Sequence, residues 1–200
     1  VEPEYQKKMN KRIQSRLRSA HLRGCPQELT NCVDSAEREY LPRGITETLS
    51  TLDFIDSGLN VCILGPSDSG KSYLAKAIGI VACNNYKVEY HHCESLLEAL
   101  VALKAQDYLK YQKRLKKICG AALLILDDFL LHTITDEREV KILFEILEKR
   151  CEINLSTIIC SQREPASWSS MILNDEVSAN AILKRATKHY TVVIKPNITD

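Results

Sequence analysis

Residues 65 to 72 read Gly65-Pro66-Ser67-Asp68-Ser69-Gly70-Lys71-Ser72, a complete G-x-x-x-x-G-K-[ST] loop. The apolar run from Asn60 to Leu64 ahead of it predicts a buried strand. Behind it, Leu74, Ala77, Ile78 and Val81 recur at spacings of three and four, as on one face of a helix. A loop between a strand and a helix N-terminus can turn its backbone N–H groups and the helix dipole towards phosphate. In that geometry the lysine reaches the β- and γ-phosphates and the hydroxyl of the last residue ligates Mg²⁺. Gly65, Pro66, Ser67, Asp68, Ser69, Gly70, Lys71 and Ser72, with Tyr73 beside them, are therefore the expected contacts of a nucleoside triphosphate, and Ser72 is an expected metal ligand.

The rest of the chain alternates in kind. Short β-like runs at 87–91, 121–127, 156–160 and 190–194 are separated by helical patterns at 94–117, 136–150 and 177–188. With the strand before the loop, this predicts an α/β fold: a parallel five-stranded sheet flanked by helices, with sites at the carboxyl ends of the strands. The run Ala121 to Leu126 is wholly apolar and delivers Asp127 and Asp128 to that end. This is the Walker B arrangement, in which Asp127 serves the Mg²⁺ shell and Asp128 orients or deprotonates the attacking water. One β-α unit separates these acids from the loop, which implies that another strand lies between the two in space.

Two hundred residues suit one α/β domain with a short appendage, and a break near Leu41 to Gly44 divides a basic helical segment (1–41) from a nucleotide-binding domain (42–200). The net charge is only +1, but it is unevenly spread. From Tyr5 to Gln27 there are seven basic residues and no acid; from Lys104 to Lys117 there are six basic residues against Asp107 alone. Such runs are either solvated helical faces or surfaces that contact a phosphate backbone. Taken together they favour nucleic acid, with Lys7, Lys8, Lys11, Arg12, Arg16, Lys113 and Arg114 as the expected contacts. No stretch approaches a membrane span and no signal peptide is visible, so no membrane partner and a cytoplasmic location are expected. The eight cysteines are scattered without a C-x-x-C pair and read as reduced thiols.

Four segments in order resemble the IstB-like family of AAA+ ATPases, helpers of insertion-sequence transposases: Leu49 to Val61 running into the loop, Leu124 to Phe129, Ser156 to Gln162, and Asn174 to Arg185. The similarity runs from about Lys11 to Lys195. It implies a P-loop NTPase of the additional-strand AAA+ type that uses ATP and Mg²⁺. Lys71, Asp128, Gln162 and Arg185 then become the catalytic set. Gln162, or Ser161 beside it, would sense the γ-phosphate, and Arg185 would be an arginine finger reaching a neighbouring subunit. The resemblance also implies a homo-oligomer in the ATP state on duplex DNA, with a transposase as partner. A replicative helicase loader of the DnaC type remains the nearest alternative, followed by a small-molecule kinase and by a nucleotide-gated module with vestigial hydrolysis. The chain departs from the family at Asp68, where glycine is usual, and from most AAA+ enzymes at Asp128, where glutamate is commonest.

Overall fold

Apolar residues at period two set the layering of this protein. The computed structural model describes residues 2–172 and 176–197. In β2 (Val61–Leu64), Val61 and Ile63 join one core while Cys62 and Leu64 join the other. β4 (Leu123–Asp127) and β5 (Ser156–Ser161) divide in the same way, because a strand points successive side chains to opposite faces. One face is covered by α2 (Ile45–Ser50), α3 (Asp53–Asp56), α4 (Lys71–Ala82) and the residues that follow α1 (Glu2–Ser19). The other face carries α5 (Cys93–Gln106), α6 (Tyr108–Gly120), α7 (Glu137–Glu152) and α8 (Glu176–Ala186). All eight cysteines are free thiols, and burial pushes those of Cys62 and Cys93 up to about 12, so they act as small core hydrophobes.

The sheet has six strands in the order β1-β6-β2-β5-β4-β3, completed by β3 (Val88–His92), β6 (Tyr190–Pro196) and β1 (Arg38–Leu41). β5 lies between the P-loop strand and β4, as the spacing of the acids implies. The sixth strand was not expected. β1 runs antiparallel on β6, with Arg38 opposite Pro196 and Leu41 opposite Val193. At four residues with only Tyr40 buried, it is too short and too polar to show the alternation that marks a strand. Residues 38–41 thus belong to the sheet of the nucleotide-binding fold, although the sequence groups them with the basic segment. The helical pattern at 94–117 is broken as well. Asp107 adopts an extended conformation, and its Oδ1 accepts from the Lys110 N–H at 3.0 Å, capping α6 and separating it from α5. Asn174 and Asp175 of the family-like stretch lie outside the described residues.

Two charged groups lock the helical layer to the sheet. Arg150 of α7 is 1% exposed and donates to Thr157 Oγ1 and the Ser156 carbonyl of β5. Glu89 of β3 is buried and faces His91 Nε2 at 2.6 Å and two cations, Arg114 at 3.2 Å and Lys117 at 3.2 Å. Burial opposes its ionisation, but the His91 hydrogen bond and the Arg114 and Lys117 charges outweigh it and hold the carboxyl at about 2, below the ordinary 4.5. A carboxyl depressed in the folded state stabilises the fold above its unfolded pKa, and that contribution disappears as pH falls through the folded value. Glu89→Gln is therefore expected to lower stability at neutral pH and to flatten the loss of stability between pH 4.5 and about 2, as read by urea unfolding across that range.

Candidate nucleotide site

The P-loop links the carboxyl end of β2 to the first turn of α4. Two glycines let it close tightly. A Cβ on Gly65 would come within 2.5 Å of Ser69 Oγ and 2.8 Å of the Ile194 carbonyl oxygen; Gly70 sits at φ 102°, where a Cβ would overlap the Arg38 guanidinium. Asp68 takes a left-handed φ of 58° without being glycine. Lys71 is 8% exposed, and its Nζ donates to the Pro66 carbonyl at 2.6 Å. Burial lowers the pKa of this ammonium against the opposing pull of Asp127, Asp128 and Asp68.

Ser67, Asp68, Gly70, Lys71, Ser72 and Tyr73 line a cleft of about 460 Å³ with Asp128 and Gln162 on its far side. The carboxyl ends of β2, β4 and β5 thus bring together the residues that the sequence singles out for phosphate, water and sensing. Ser161 is wholly buried: its Oγ donates to the Phe129 carbonyl at 2.8 Å and accepts from the Arg163 N–H. The side chain available to the cleft is therefore that of Gln162. Tyr73 faces the cleft and also ties down the N-terminal region, its hydroxyl accepting from the Glu28 N–H and Asn31 Nδ2.

Asp127 is fully buried. Its Oδ1 accepts from the Asp128 N–H at 2.9 Å, and its Oδ2 accepts a short hydrogen bond from the Tyr90 hydroxyl. Burial, then that hydrogen bond, raises the Tyr90 phenol well above its ordinary pKa, so it serves as donor. Asp128 occupies a left-handed φ of 51°, and its Oδ2 lies 3.1 Å from His92 Nδ1. Neither Tyr90 nor His92 is visible as a site residue in the sequence, and nor is Arg38, which joins the cleft from the short edge strand.

The residues fit a magnesium-bound nucleotide. A buried carboxylate and the Ser72 hydroxyl are the hard oxygen donors that Mg²⁺ takes, alongside phosphate oxygens. Ser69 Oγ is buried within the loop beside Gly65, without a hydrogen-bond partner among the described residues. Asp68 is the element that fits least, because it adds negative charge to the cleft. Asp68→Gly is expected to tighten ATP by about 1 kcal/mol, roughly fivefold in Kd, in isothermal titration calorimetry.

The other expected residues lie apart from the cleft. Arg185, exposed on α8, is at the opposite end of the sheet, where its carbonyl accepts from Asn60 Nδ2 at 3.3 Å just before β2. Lys7, Lys8, Lys11 and Arg12 are exposed on α1, and Lys113 is exposed on α6. Arg16 is engaged by the carbonyls of Asn84 and Cys83, and Arg114 by Glu89. The last turns of α1 and α6 flank one groove of about 490 Å³, lined by Arg16, Lys87, Lys116 and Lys117. Among the described residues no helix is long and apolar enough to cross a membrane.

Comparison with known proteins agrees with this geometry. The family described as IstB-like ATP binding protein matches residues 1–197. The insertion sequence ATP-binding protein y4uH of Sinorhizobium fredii is 39% identical over 177 residues, which cover 88% of this chain and 68% of that protein. The IS21 ATP-binding protein of Pseudomonas aeruginosa is 29% identical over 195 residues, 96% of this chain and 71% of that one. Among solved structures, the DnaC helicase loader superposes with a TM-score of 0.67 at 18% identity, covering 86% of this chain and 98% of that chain. The replication initiator DnaA bound to AMPPCP and single-stranded DNA gives 0.68 at 19% identity, covering 86% and 50%. At such identities these structures speak for the fold alone, an AAA+ P-loop fold. The sequence match, spanning nearly every residue, and the assembled phosphate cleft lead to one conclusion: the chain belongs to the family of IstB-like ATP-binding proteins.

Proposed function

We propose that this protein hydrolyses ATP with Mg²⁺, assembles as an ATP-bound homo-oligomer on duplex DNA in the cytoplasm, and assists a transposase in choosing its target. The observation that carries the reading is the division of the catalytic set. Lys71, Ser72, Asp128 and Gln162 share one cleft, whereas the exposed Arg185 lies at the other end of the sheet, free to serve a neighbouring subunit. Lys71 exchanges the Pro66 carbonyl for the β- and γ-phosphates. Ser72 and Asp127 would hold Mg²⁺, which would supply positive charge to offset that of the phosphates. Asp128 orients the attacking water and accepts its proton, and Gln162 donates to the γ-phosphate. An arginine supplied in trans stabilises the charge of the transferring phosphoryl group, so hydrolysis depends on assembly.

The names of the relatives tie them to insertion sequences, which favours a transposase over the replicative helicase of the alternative reading. Subunit mixing tests the proposal. With ATP, Mg²⁺ and duplex DNA, Arg185→Ala and Asp128→Asn should each be inactive alone. An equimolar mixture should recover roughly a quarter of the wild-type rate, the chance that an intact Asp128 meets an intact Arg185 across a head-to-tail interface. Full activity of Arg185→Ala alone, or no recovery on mixing, would contradict it.

A further inference from the structure

β3 sits at the edge of the sheet and pairs in parallel with β4, with Tyr90 opposite Ile125 and His92 opposite Asp127. Tyr90 and Asp127 are thus diagonal neighbours on the same face, a separation of about 7–8 Å between backbones that an aromatic side chain can bridge. The phenol does so, and its O–H ends on Asp127 Oδ2. Two further contacts and burial fix the ring. Lys76 Nζ lies 5.2 Å from the ring centroid, the His92 ring packs edge-on at 5.7 Å, and Tyr90 is itself only 6% exposed. Lys76 follows Ser72 by four residues, so one face of α4 offers both the metal-side hydroxyl and the cation that braces Tyr90. With Oδ1 held by the Asp128 N–H, Asp127 is pinned at both oxygens.

We infer that Tyr90 is a positioning residue for the metal-binding carboxylate, its hydroxyl fixing the orientation in which Asp127 meets Mg²⁺; this rests on the proposed metal role of Asp127. A carboxylate oxygen has more than one acceptor direction, so the phenol restrains rotation of the group without using up the acceptor capacity of Oδ2. Partners of this kind orient ligands, and losing one typically costs about 10- to 100-fold in metal affinity.

The test measures the affinity of a fluorescent ADP for the whole chain in Mg²⁺ and in EDTA, for wild type, Tyr90→Phe and Asp127→Asn. Phenylalanine keeps the ring, its burial and its contact with Lys76. The expected result is an unchanged affinity of Tyr90→Phe in EDTA, with at least a tenfold smaller gain on adding Mg²⁺. Asp127→Asn should abolish the gain. If Asp127→Asn loses the gain and Tyr90→Phe keeps it, the hydroxyl merely satisfies a buried oxygen and the inference is overturned. If Tyr90→Phe weakens binding equally in EDTA, its role is structural and the inference again fails. If Asp127→Asn keeps the full gain, the metal reading itself falls and the Tyr90 inference falls with it.

Discussion

Replacing Lys71 by alanine is expected to weaken ATP binding by about 2–3 kcal/mol, roughly 30- to 150-fold in Kd, with little change in thermal stability. The reasoning starts from burial. The ammonium is 8% exposed, bonded to one loop carbonyl, and surrounded by Asp68, Asp127 and Asp128, which keep it charged in a partly desolvated cleft. Charge-assisted bonds to phosphate oxygens are strong in such a place, and among the described residues no other lysine lines the cleft. The fold loses little, because among the described residues Nζ donates only to the Pro66 carbonyl, which also accepts from the Ser69 N–H. Hydrolysis should fall further, by roughly 10²–10³, since the same charge stabilises the transition state. Titration calorimetry with ATP and a steady-state phosphate assay read the two effects separately.

Replacing Arg150 by methionine is expected to destabilise the fold by about 3–5 kcal/mol, enough to lower Tm by roughly 6–20 °C in a chain of this size. Arg150 is 1% exposed, and among the described residues its hydrogen-bond partners are all neutral oxygens: the carbonyls of Ile118, Cys119, Ala121 and Ser156, and Thr157 Oγ1. The first three close the C-terminal end of α6, where the helix leaves carbonyls without intrahelical donors and where its dipole favours a cation. Burial lowers the guanidinium pKa to about 10, so it remains charged at neutral pH. Methionine fills much of the volume but leaves several buried acceptors unpaired, at about 1–3 kcal/mol for each that finds no substitute. Lysine should rescue only in part, because one ammonium cannot span five acceptors set around a planar fork. Thermal unfolding by circular dichroism gives the difference directly, and a Tm within 2 °C of wild type would contradict this account of Arg150.

How much of this was legible in the chain depends on whether the chemistry runs along it or across it. The phosphate loop was legible because its donors are consecutive residues, and the Asp127-Asp128 pair because an apolar strand ends on it. That another strand lies between the two motif-bearing strands followed from the single β-α unit separating them in the chain. Tyr90 and His92 were not legible as site residues, because their roles arise from the register of β3 on β4. Arg38 reaches the cleft only because a four-residue antiparallel strand attaches to β6. Arg150 reads as one more charge on an amphipathic helix until α6 and β5 deliver their carbonyls around it. The basic stretches carry the same lesson. Arg16 and Arg114 look like free cations in sequence, but their acceptors on Asn84, Cys83 and Glu89 lie far away in the chain. Asp107, by contrast, carried its own signal, since a lone acid before a basic helix is a good N-cap.

The claim on which the rest depends is that bound ATP drives assembly on DNA. The most direct test measures particle mass and duplex-DNA binding together in one sample, by mass photometry on a short duplex, with ATP, with ADP, and with Lys71→Ala in ATP. DNA-bound oligomers should form with ATP, dissolve in ADP and be absent for Lys71→Ala. A particle that stays monomeric and ignores the duplex in every nucleotide state, or one that coats DNA equally well without ATP, would contradict the account.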